Sequence, residues 1–477
     1  MYQSNEEVKR NMEKRKLKQP NIIYINIDDM GWRDLKCTGS TFYETPNIDR
    51  MCEEGMIFEN AYASCPVCSP SRASFQTGKH PARVGITDWI DESGKNHPLR
   101  GKLVDAKYAK HMELTEKTIA HTLKENGYST WHVGKWHLGT KEFYPEHFGY
   151  DINIGGTWWG HPQKGYFSPY GMENLTDGPE GEYLTDRLTD EAIRLIENAV
   201  DKPFFMNLCH FAVHEKLEAK EKDIEKFRKK AERLGLDKVN PFVEGEFFPT
   251  LNRKDVRIRR RILQSDPVYA AMIWNLDENI GRLMQALKKC GKDENTVVFF
   301  TSDNGGLSSA GGSPTCNLPA REGKGWMYEG GLRVPLIVRY PVGVAGQSRC
   351  TTPVITMDAY PTILELCGIE LVPEQHKDGV SIVPLLQGNE IEERPLFWHY
   401  PHYGNQGGTP GSSVLYKGYK LIEFYEDNSY QLYQLNQDFS EMQDISEENT
   451  EMIEVLKEKL SAWKRDVMAK LPTVNAQ

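Results

Sequence analysis

Short apolar runs rich in β-branched residues recur along this 477-residue chain, with helical stretches between them. The clearest runs cover residues 21–27, 129–133, 204–208 and 296–301. Continuous apolar runs of this length are typical of strands that are buried on both faces of a sheet. Their alternation with helices up to about residue 388 predicts the α/β fold class, with a large, mostly parallel sheet sandwiched by helices.

A different pattern begins at about residue 390. Residues 414–416, 420–425 and 431–435 read as short alternating strands with tight turns, and residues 449–468 as a helix. This order predicts a smaller C-terminal α+β subdomain built on a short antiparallel sheet. We therefore expect a charged N-terminal arm (1–19), a large domain that carries the polar clusters described below (20–389), and the C-terminal subdomain (390–477), packed together as one body.

Polar side chains follow the four clearest apolar runs, where each predicted strand ends. In chain order they are Asp28 and Asp29, Lys135 and His137, His214, and Asp303 and Asn304. Ligands of open α/β sheets bind outside the carboxyl ends of the strands. The sequence therefore predicts that these side chains meet at one edge of the sheet.

Each of these clusters has an ordinary interpretation beside a functional one. Adjacent carboxylates at the end of a buried strand are costly unless a cation or hydrogen bonds compensate them. Asp28 and Asp29 are therefore either loop acids that cap a turn or ligands of a hard cation. The same two interpretations apply to Asp303 and Asn304. Lys135 and His137 are either a surface lysine and a packed histidine or two groups that point into one site.

The segment from Cys68 to Gly78, with the sequence CSPSRASFQTG, has the pattern of a short helix. Pro70 suits the first turn and Gly78 suits the C-terminal stop. Cys68 would then lie at a helix N-terminus, where free amide groups and the helix dipole favour an anion.

Three motifs occur in the order of a known family: C-x-P-S-R at 68–72, G-K-W-H-x-G at 134–139 and G-K-G-x-x-Y-E-G-G at 323–331. With the acidic pairs, they resemble the formylglycine-dependent sulfatases of the alkaline-phosphatase-like superfamily. The resemblance implies hydrolysis of sulfate monoesters after Cys68 is oxidised to formylglycine by a maturation enzyme, with one Ca²⁺ per chain. The implied catalytic residues are Cys68, Arg72, Lys135, His137, His214 and Lys324, and the implied metal ligands are Asp28, Asp29, Cys68, Asp303 and Asn304.

The chain departs from that family pattern at one place. The family often has a proline soon after the central histidine, whereas Glu215 and Lys216 follow His214 here. This departure leaves the shape of the local loop open.

The substrate is expected to be a sulfated saccharide. Residues 86–90, 158–167 and 399–405 resemble bacterial sulfatases of the galactosamine-sulfatase-like branch, which implies sulfated galactose or N-acetylgalactosamine in glycosaminoglycan or mucin glycans. Aromatic rings and histidines suit stacking on a sugar and hydrogen bonds to its hydroxyls. The candidate substrate-binding residues are Asp88, Trp89, Trp158, Trp159, His161, His399 and His402. Alternatively, the aromatic residues pack on one another in an ordered loop, and the C-terminal histidines close the domain interface.

Composition restricts the partners. The formal net charge of -10 argues against nucleic-acid binding. We expect no signal peptide and no membrane anchor, because residues 1–19 are polar and no run approaches the roughly 18 apolar residues of a membrane span. Nine cysteines without framework spacing indicate a reducing compartment, so we expect a cytoplasmic location. The sequence gives no oligomeric state.

Other functions remain in competition. One is a phosphonate or phosphodiester hydrolase of the same superfamily, and another is a binding protein in which Cys68 is never modified. A cysteine hydrolase that pairs Cys68 with His137 or His214 is a third, but it leaves the metal-type ligands unexplained.

Overall fold

A computed structural model describes residues 19–91, 93–200, 202–310 and 312–476. The predicted arm falls on residues 1–18, outside the described residues, and on Gln19. Numbered along the described chain, the strands are β1 (Asn21–Ile27), β2 (Met56–Phe58), β3 (Ala61–Tyr62), β4 (Leu103–Val104), β5 (Ser129–Gly134), β6 (Ile152–Ile154), β7 (Phe204–His210), β8 (Phe242–Phe247), β9 (Arg257–Arg261), β10 (Thr296–Ser302), β11 (Leu336–Arg339), β12 (Ser348–Cys350), β13 (Val354–Ile355), β14 (Leu396–Tyr400), β15 (Gly411–Tyr416), β16 (Tyr419–Phe424), β17 (Ser429–Gln434) and β18 (Thr473–Val474).

The helices vary from single turns to the long α7. They are α1 (Pro46–Glu53), α2 (Cys68–Thr77), α3 (Pro81–Val84), α4 (Ile119–Glu125), α5 (Leu184–Glu197), α6 (Glu221–Leu234), α7 (Pro267–Lys289), α8 (Glu329–Leu332), α9 (Ala359–Leu366), α10 (Val383–Leu386) and α11 (Thr450–Asp466). Short 3-10 helices occur at Lys36–Thr38, Lys141–Phe143, Pro145–Phe148, Leu236–Lys238, Leu251–Arg253, Asp293–Asn295 and Thr356–Asp358.

The large domain is built on an eight-stranded sheet with the order β12-β2-β11-β10-β1-β7-β5-β6. Strands β10, β1, β7, β5 and β6 are parallel neighbours. Strand β11 pairs antiparallel with both β10 and β2, and β12 is parallel to β2, so β11 alone runs against the others. The predicted α/β class with a mostly parallel sheet between helices is confirmed.

Strand β1 shows why its apolar run is continuous. Ile23, Ile25 and Ile27 belong to one buried cluster, with side chains from α1, α5, α6 and α7. Ile22 and Tyr24 belong to a second cluster, with side chains from α2, α4, α9 and α10. Because successive side chains of a strand point to opposite faces, a strand covered by helices on both faces must be apolar throughout.

The C-terminal part forms a separate antiparallel sheet in the order β14-β15-β16-β17. Val414, Leu421 and Leu432 of this sheet pack against Leu456 and Leu460 of α11. The predicted short antiparallel sheet with one covering helix is confirmed, and the structure adds β14 as its first strand.

The two parts share buried contacts. One apolar cluster contains Tyr62 and Trp326 of the large domain together with Trp398 and Ile422 of the C-terminal sheet. Near the end of the chain, β18 pairs with β4 of the large domain. The domain boundary at residue 390 stays a prediction, although these contacts favour one packed body.

Several element bounds differ from the sequence-based expectations. The sequence of residues 57–62 indicates one strand, but the structure has two there, β2 and β3, which pair with different partners. Helix α4 begins at Ile119, because the Thr118 hydroxyl accepts from the His121 amide and caps the helix there. The β8–β9 hairpin was not anticipated, because half of its residues are exposed and many are charged.

Two findings bear on the predicted compartment. None of the helices in the described ranges combines the length and apolar character needed to cross a membrane. All nine cysteines are unpaired. The cytoplasmic location stays a prediction.

Candidate active site

The predicted polar clusters meet at the carboxyl edge of the sheet. Asp28 and Asp303 follow the neighbouring parallel strands β1 and β10, and the Asp303 amide donates to the Ile27 carbonyl at 3.1 Å. Lys135 follows β5, and its amide donates to the Cys209 carbonyl of β7 at 2.8 Å. Because these strands run the same way, side chains far apart in sequence face one another here.

Cys68 is the first residue of helix α2 and is 3% exposed. The helix ends at Gly78, whose φ of 65° is the left-handed conformation that glycine adopts easily. The Cys68 Sγ lies 3.4 Å from Nδ1 of His137. Burial raises the pKa of the Cys68 thiol, so the unmodified residue is a poor thiolate nucleophile, which weighs against a cysteine hydrolase.

Three carboxylate side chains near Cys68 are each paired with a positively charged side chain. Lys135 Nζ donates to both oxygens of Asp28 at 3.0 and 2.8 Å. Arg72 Nε donates to Asp303 Oδ2 at 2.9 Å and its NH1 to the Lys135 carbonyl at 3.1 Å. Lys324 Nζ donates to Asp29 Oδ2 at 2.8 Å and Asn304 Nδ2 to Asp29 Oδ1 at 2.9 Å. The structure brings all of these predicted residues together.

The donor set fits a hard divalent cation. The buried Oδ1 of Asn304 has no hydrogen-bond partner, although such an atom is costly to leave unsatisfied. Burial raises the pKa of Asp28 to about 8, although the positive charge of Lys135 acts to lower it. Oxygen atoms of Asp28 and Asp29 and a His214 ring nitrogen lie within 4.8 Å of one another. Carboxylate and amide oxygens are the ligands that Ca²⁺ prefers.

Two histidines have tautomers that their partners fix. His137 Nε2 lies 2.9 Å from the Ile90 carbonyl, which can only accept, so Nε2 carries the proton and Nδ1 is left as an acceptor facing Cys68. Likewise, His214 Nδ1 lies 2.8 Å from the Glu215 carbonyl, which leaves Nε2 to accept from Lys324 Nζ at 3.2 Å.

The protonation of these groups follows from burial and from their neighbours. Burial and the Lys135 ammonium hold the pKa of His137 well below its ordinary value. Burial and the Lys324 ammonium do the same to the pKa of His214. Although burial opposes it, the negative charge of Asp29 raises the pKa of Lys324. The site therefore holds neutral imidazoles at His137 and His214, and the ammonium group of Lys324 lies next to His214.

A cavity of about 410 Å³ opens above Cys68. Three of the predicted substrate-binding residues line it: Trp89, Trp158 and His161. The His161 ring is stacked on the His214 ring, with centroids 6.0 Å apart. These three side chains are placed to contact a ligand held over Cys68.

The other four predicted substrate-binding residues do not line this cavity. Trp159 is 9% exposed and packs in the core cluster behind the sheet. His399 bonds Ser412 and the Lys470 carbonyl within the C-terminal part. Asp88 and His402 are fully buried behind the cavity wall. Sequence reasoning placed these residues in the right region but could not tell which side chains face outward.

The cavity has further polar lining residues that the sequence analysis missed. They are Asp91, Ser93, Asn96, Gln163, Glu215, Asn405 and Gln406. Most lie within a few residues of a predicted position, so proximity along the chain was the available signal. Glu215, at the departure from the family pattern, accepts from the Gly312 amide through its side chain.

The sheet and its polar edge define the class of protein. A mixed sheet between helices, with acidic groups and a cavity at its carboxyl edge, is the arrangement of the alkaline-phosphatase-like superfamily. Within that class, residues 20–369 match the family model described as sulfatase, and residues 322–466 match that of the N-sulphoglucosamine sulphohydrolase C-terminal region. The chain belongs to the sulfatase family and is a sulfuric ester hydrolase.

Similar proteins include bacterial and animal sulfatases. A sulfatase of Formosa agariphila is 30% identical over 523 residues, which cover 93% of this chain and 88% of its own. The N-acetylgalactosamine-6-sulfatase of Homo sapiens is 30% identical over 461 residues, which cover 91% of this chain and 77% of its own. The crystal structure of Ps i-CgsB in complex with k-i-k-neocarrahexaose has a TM-score of 0.73 and 28% identity, and covers 94% of this chain and 93% of its own. Sulfatases generally use Ca²⁺ and formylglycine.

Proposed function

We propose that this sulfatase removes O-sulfate from galactose or N-acetylgalactosamine units of a glycan, through a formylglycine made from Cys68. The observation that carries the proposal is the position of Cys68, at the start of a buried helix, below the cavity and beside His137. A relative named N-acetylgalactosamine-6-sulfatase and a similar structure in complex with a neocarrahexaose support a saccharide substrate.

The proposed chemistry assigns a task to each group of the site. Calcium held by residue 68, Asp28, Asp29, Asp303 and Asn304 would supply positive charge beside the sulfate oxygens. Formylglycine at position 68 would supply a hydrate, one hydroxyl of which attacks sulfur. The Arg72 guanidinium, fixed by Asp303, orients this first turn of α2 and adds positive charge.

The chain's own groups would then move two protons. Lys324, which is held as an ammonium group between Asp29 and His214, is placed to protonate the oxygen of the leaving alcohol. His137 Nδ1 faces residue 68 and is placed to accept the proton of the second hydroxyl, so that sulfate leaves and the aldehyde returns. In this proposal His214 accepts from and positions Lys324, because its own pKa is well below the ordinary value.

The first experiment measures sulfate release from galactose, N-acetylgalactosamine and N-acetylglucosamine that carry sulfate at different positions. The protein is produced together with a maturation enzyme and supplied with calcium. We expect Cys68→Ala to abolish release with little change in melting temperature, because the side chain makes no strong contact. Cys290→Ala, at a half-buried cysteine of the α7 C-cap, is the matched control and should keep full activity.

Each result bears on one part of the proposal. If the Cys68→Ala variant still releases sulfate, residue 68 is not the source of the nucleophile. If a peptide mass confirms the aldehyde but no sugar releases sulfate, the saccharide is wrong, and phosphonate and phosphodiester substrates are tested next. A thiol that persists beside an active maturation enzyme would indicate an unmodified binding protein.

A further inference from the structure

A second group of titratable side chains lies behind the cavity wall. We name the residues Asp88, His97, Asp105 and His402 the Asp88 cluster. His97 Nδ1 lies 3.5 Å from Asp88 Oδ2 and 3.7 Å from Asp105 Oδ2, and His402 Nδ1 lies 3.9 Å from Asp88 Oδ2. The four side chains are at most 5% exposed. Two imidazoles and two carboxylates therefore point at one another in the interior.

Four buried nitrogen and oxygen atoms of this cluster lack hydrogen bonds. Asp88 Oδ2, His402 Nδ1 and both ring nitrogens of His97 are buried without a hydrogen-bond partner. All three separations exceed the roughly 3.2 Å limit of ordinary nitrogen–oxygen hydrogen bonds. Buried polar atoms are costly when unsatisfied, so their convergence indicates a ligand that they share.

Other atoms of Asp88 and His402 are well bonded, as are both oxygens of Asp105, including the Oδ2 that faces His97. Asp88 Oδ1 accepts from the Trp89 amide at 2.8 Å and from the Tyr400 hydroxyl at 3.0 Å. His402 Nε2 lies 2.8 Å from the Thr87 hydroxyl. For Asp105, the Tyr403 amide donates to Oδ1 at 2.8 Å and the Leu99 amide to Oδ2 at 2.7 Å. Such outer hydrogen bonds are the means by which proteins orient metal-binding histidines and carboxylates.

From this arrangement we infer that the Asp88 cluster binds a divalent transition-metal ion, with Zn²⁺ the best match, in a tetrahedral site of two nitrogens and two oxygens. Zinc bonds to histidine and carboxylate are about 2.0–2.2 Å long, which places tetrahedral ligand atoms about 3.3–3.6 Å apart. Three of the six ligand separations are 3.5–3.9 Å, and ligand atoms of Asp88, Asp105 and His402 lie within 4.8 Å of one another, so the site must contract around the ion. Two carboxylates also neutralise the charge of the ion.

A protonated histidine is the competing explanation. A charged His97 between Asp88 and Asp105 would account for two of the three close approaches. It leaves His402 Nδ1 without a partner in a fully buried position. A metal ion gives a partner to Asp88 Oδ2, His402 Nδ1 and His97 Nδ1 together, and this difference decides between the two explanations.

The ion would hold together two chain segments that both contribute lining residues to the cavity. Residues 88–105 carry Trp89, which lines the cavity, and Ile90, whose carbonyl accepts from His137. His402 lies three residues before Asn405, which also lines the cavity. The Asp88 cluster is thus a positioning site, separate from the calcium ligands below Cys68.

Cobalt is the probe for the test, because four-coordinate Co²⁺ with nitrogen ligands absorbs visible light strongly and six-coordinate oxygen sites do not. Full-length protein is stripped of metal, saturated with calcium and titrated with Co²⁺. We expect one equivalent to produce tetrahedral bands, and one equivalent of Zn²⁺ to remove them. Absence of these bands in the wild-type protein would overturn the inference.

Substitutions in the Asp88 cluster test whether the Co²⁺ absorption bands arise from it. His402→Gln and Asp105→Asn should lose the bands and the rise in melting temperature that Zn²⁺ produces. His399→Gln is the matched control, because His399 lies on the same segment but bonds Ser412 and Lys470 instead. Asp303→Asn should keep the bands, because it alters only the calcium site. Full bands in His402→Gln would contradict the inference, and if that variant does not fold, the wild-type titration decides.

Discussion

Asp303 is a proposed ligand of the cation and also contacts helix α2 and Asp29. Its Oδ2 accepts from Arg72, and its Oδ1 accepts from the Asp29 amide at 3.2 Å. Asp303→Asn keeps the shape of the side chain but removes its charge. We expect calcium affinity and turnover to fall together, by more than the roughly 10- to 100-fold that loss of an outer-shell partner costs.

Calcium titration calorimetry and sulfate release on the same preparation check this prediction. Asp277→Asn is the control, because Asp277 is also a buried acid but bonds the start of α1 at Asn47 and Ile48. A variant at 303 with normal calcium affinity would show that this residue is not a ligand.

Trp158 and Trp159 are neighbours in sequence with different surroundings. Trp158 lines the cavity, whereas Trp159 is 9% exposed in the core. We expect Trp158→Ala to raise KM about 3- to 10-fold, as the loss of roughly 0.5–1.5 kcal/mol of aromatic stacking predicts. Trp159→Ala should instead lower the free energy of unfolding by about 3–5 kcal/mol. Kinetics and chemical denaturation of both variants test the pair, and equal effects on KM would contradict the placement.

Among individual residues, the sequence predicted the polar side chains at the carboxyl edge of the sheet better than the side chains that line the cavity. Asp28, Lys135 and Asp303 follow buried strands directly, so strand direction alone brings them together. His399 lies in β14 of the separate C-terminal sheet, and His402 lies two residues after that strand ends. Which of their faces meets solvent depends on packing between the two parts of the molecule, and no local pattern encodes it.

Among the elements, α2 depends on the glycine at its end. A Cβ on Gly78 would lie 2.5 Å from Cβ of His376 and 2.9 Å from its Cα. We expect Gly78→Ala to lower the free energy of unfolding by about 2–5 kcal/mol, from roughly 1–2 for the left-handed backbone and 1–3 for crowding. Turnover should also fall, because α2 positions residue 68.

Gly127 provides the matched control for this helix terminus. Its φ of 89° is also left-handed, but a Cβ there would meet nothing within 4 Å. Gly127→Ala should therefore cost only about 1–2 kcal/mol. Urea denaturation of both variants separates crowding from backbone strain, and equal losses would count against crowding at Gly78.

The elements that sequence predicted best are those with strong periodic patterns. Strand β1 covers its expected range of residues 21–27, and helix α7 begins directly after Asp266, whose side chain caps it as the Asp-Pro sequence at 266–267 suggests. Strand β14 was missed although its five residues are mostly buried, because its sequence LFWHY is short, contains a histidine and lacks the alternation of β16. The direction of β11 was also missed, since pairing partners depend on contacts far away in sequence.

In the whole molecule, a buried ion network joins the C-terminal sheet to the large domain. Lys420 of β16 donates to Glu329 of α8 at 2.9 Å and to Glu441 at 2.8 Å, and it is fully buried. Lys420→Met would leave two buried carboxylates with less compensating charge. We expect the free energy of unfolding to fall by about 3–5 kcal/mol.

The matched control for this network is a surface pair on α11. Lys457 lies 2.9 Å from Glu454, and both side chains are at least one-third exposed. Lys457→Met should change the free energy of unfolding by less than about 0.5 kcal/mol. Thermal and urea unfolding test both variants, and a stable Lys420→Met protein would show that the network does not hold the two parts together.

The burial of Cys68 has a consequence for the order of events during synthesis. The contact between Arg72 and Asp303 that closes the site joins residues 231 positions apart, and Lys324 follows later still. At a synthesis rate of about 5–20 residues per second, roughly 10–50 seconds pass between the appearance of these partners. Until then the thiol lacks the groups that cover it. If Cys68 is converted to formylglycine as proposed, translation sets the interval in which the maturation enzyme reaches it, and slower translation of the middle third of the chain would lengthen that interval.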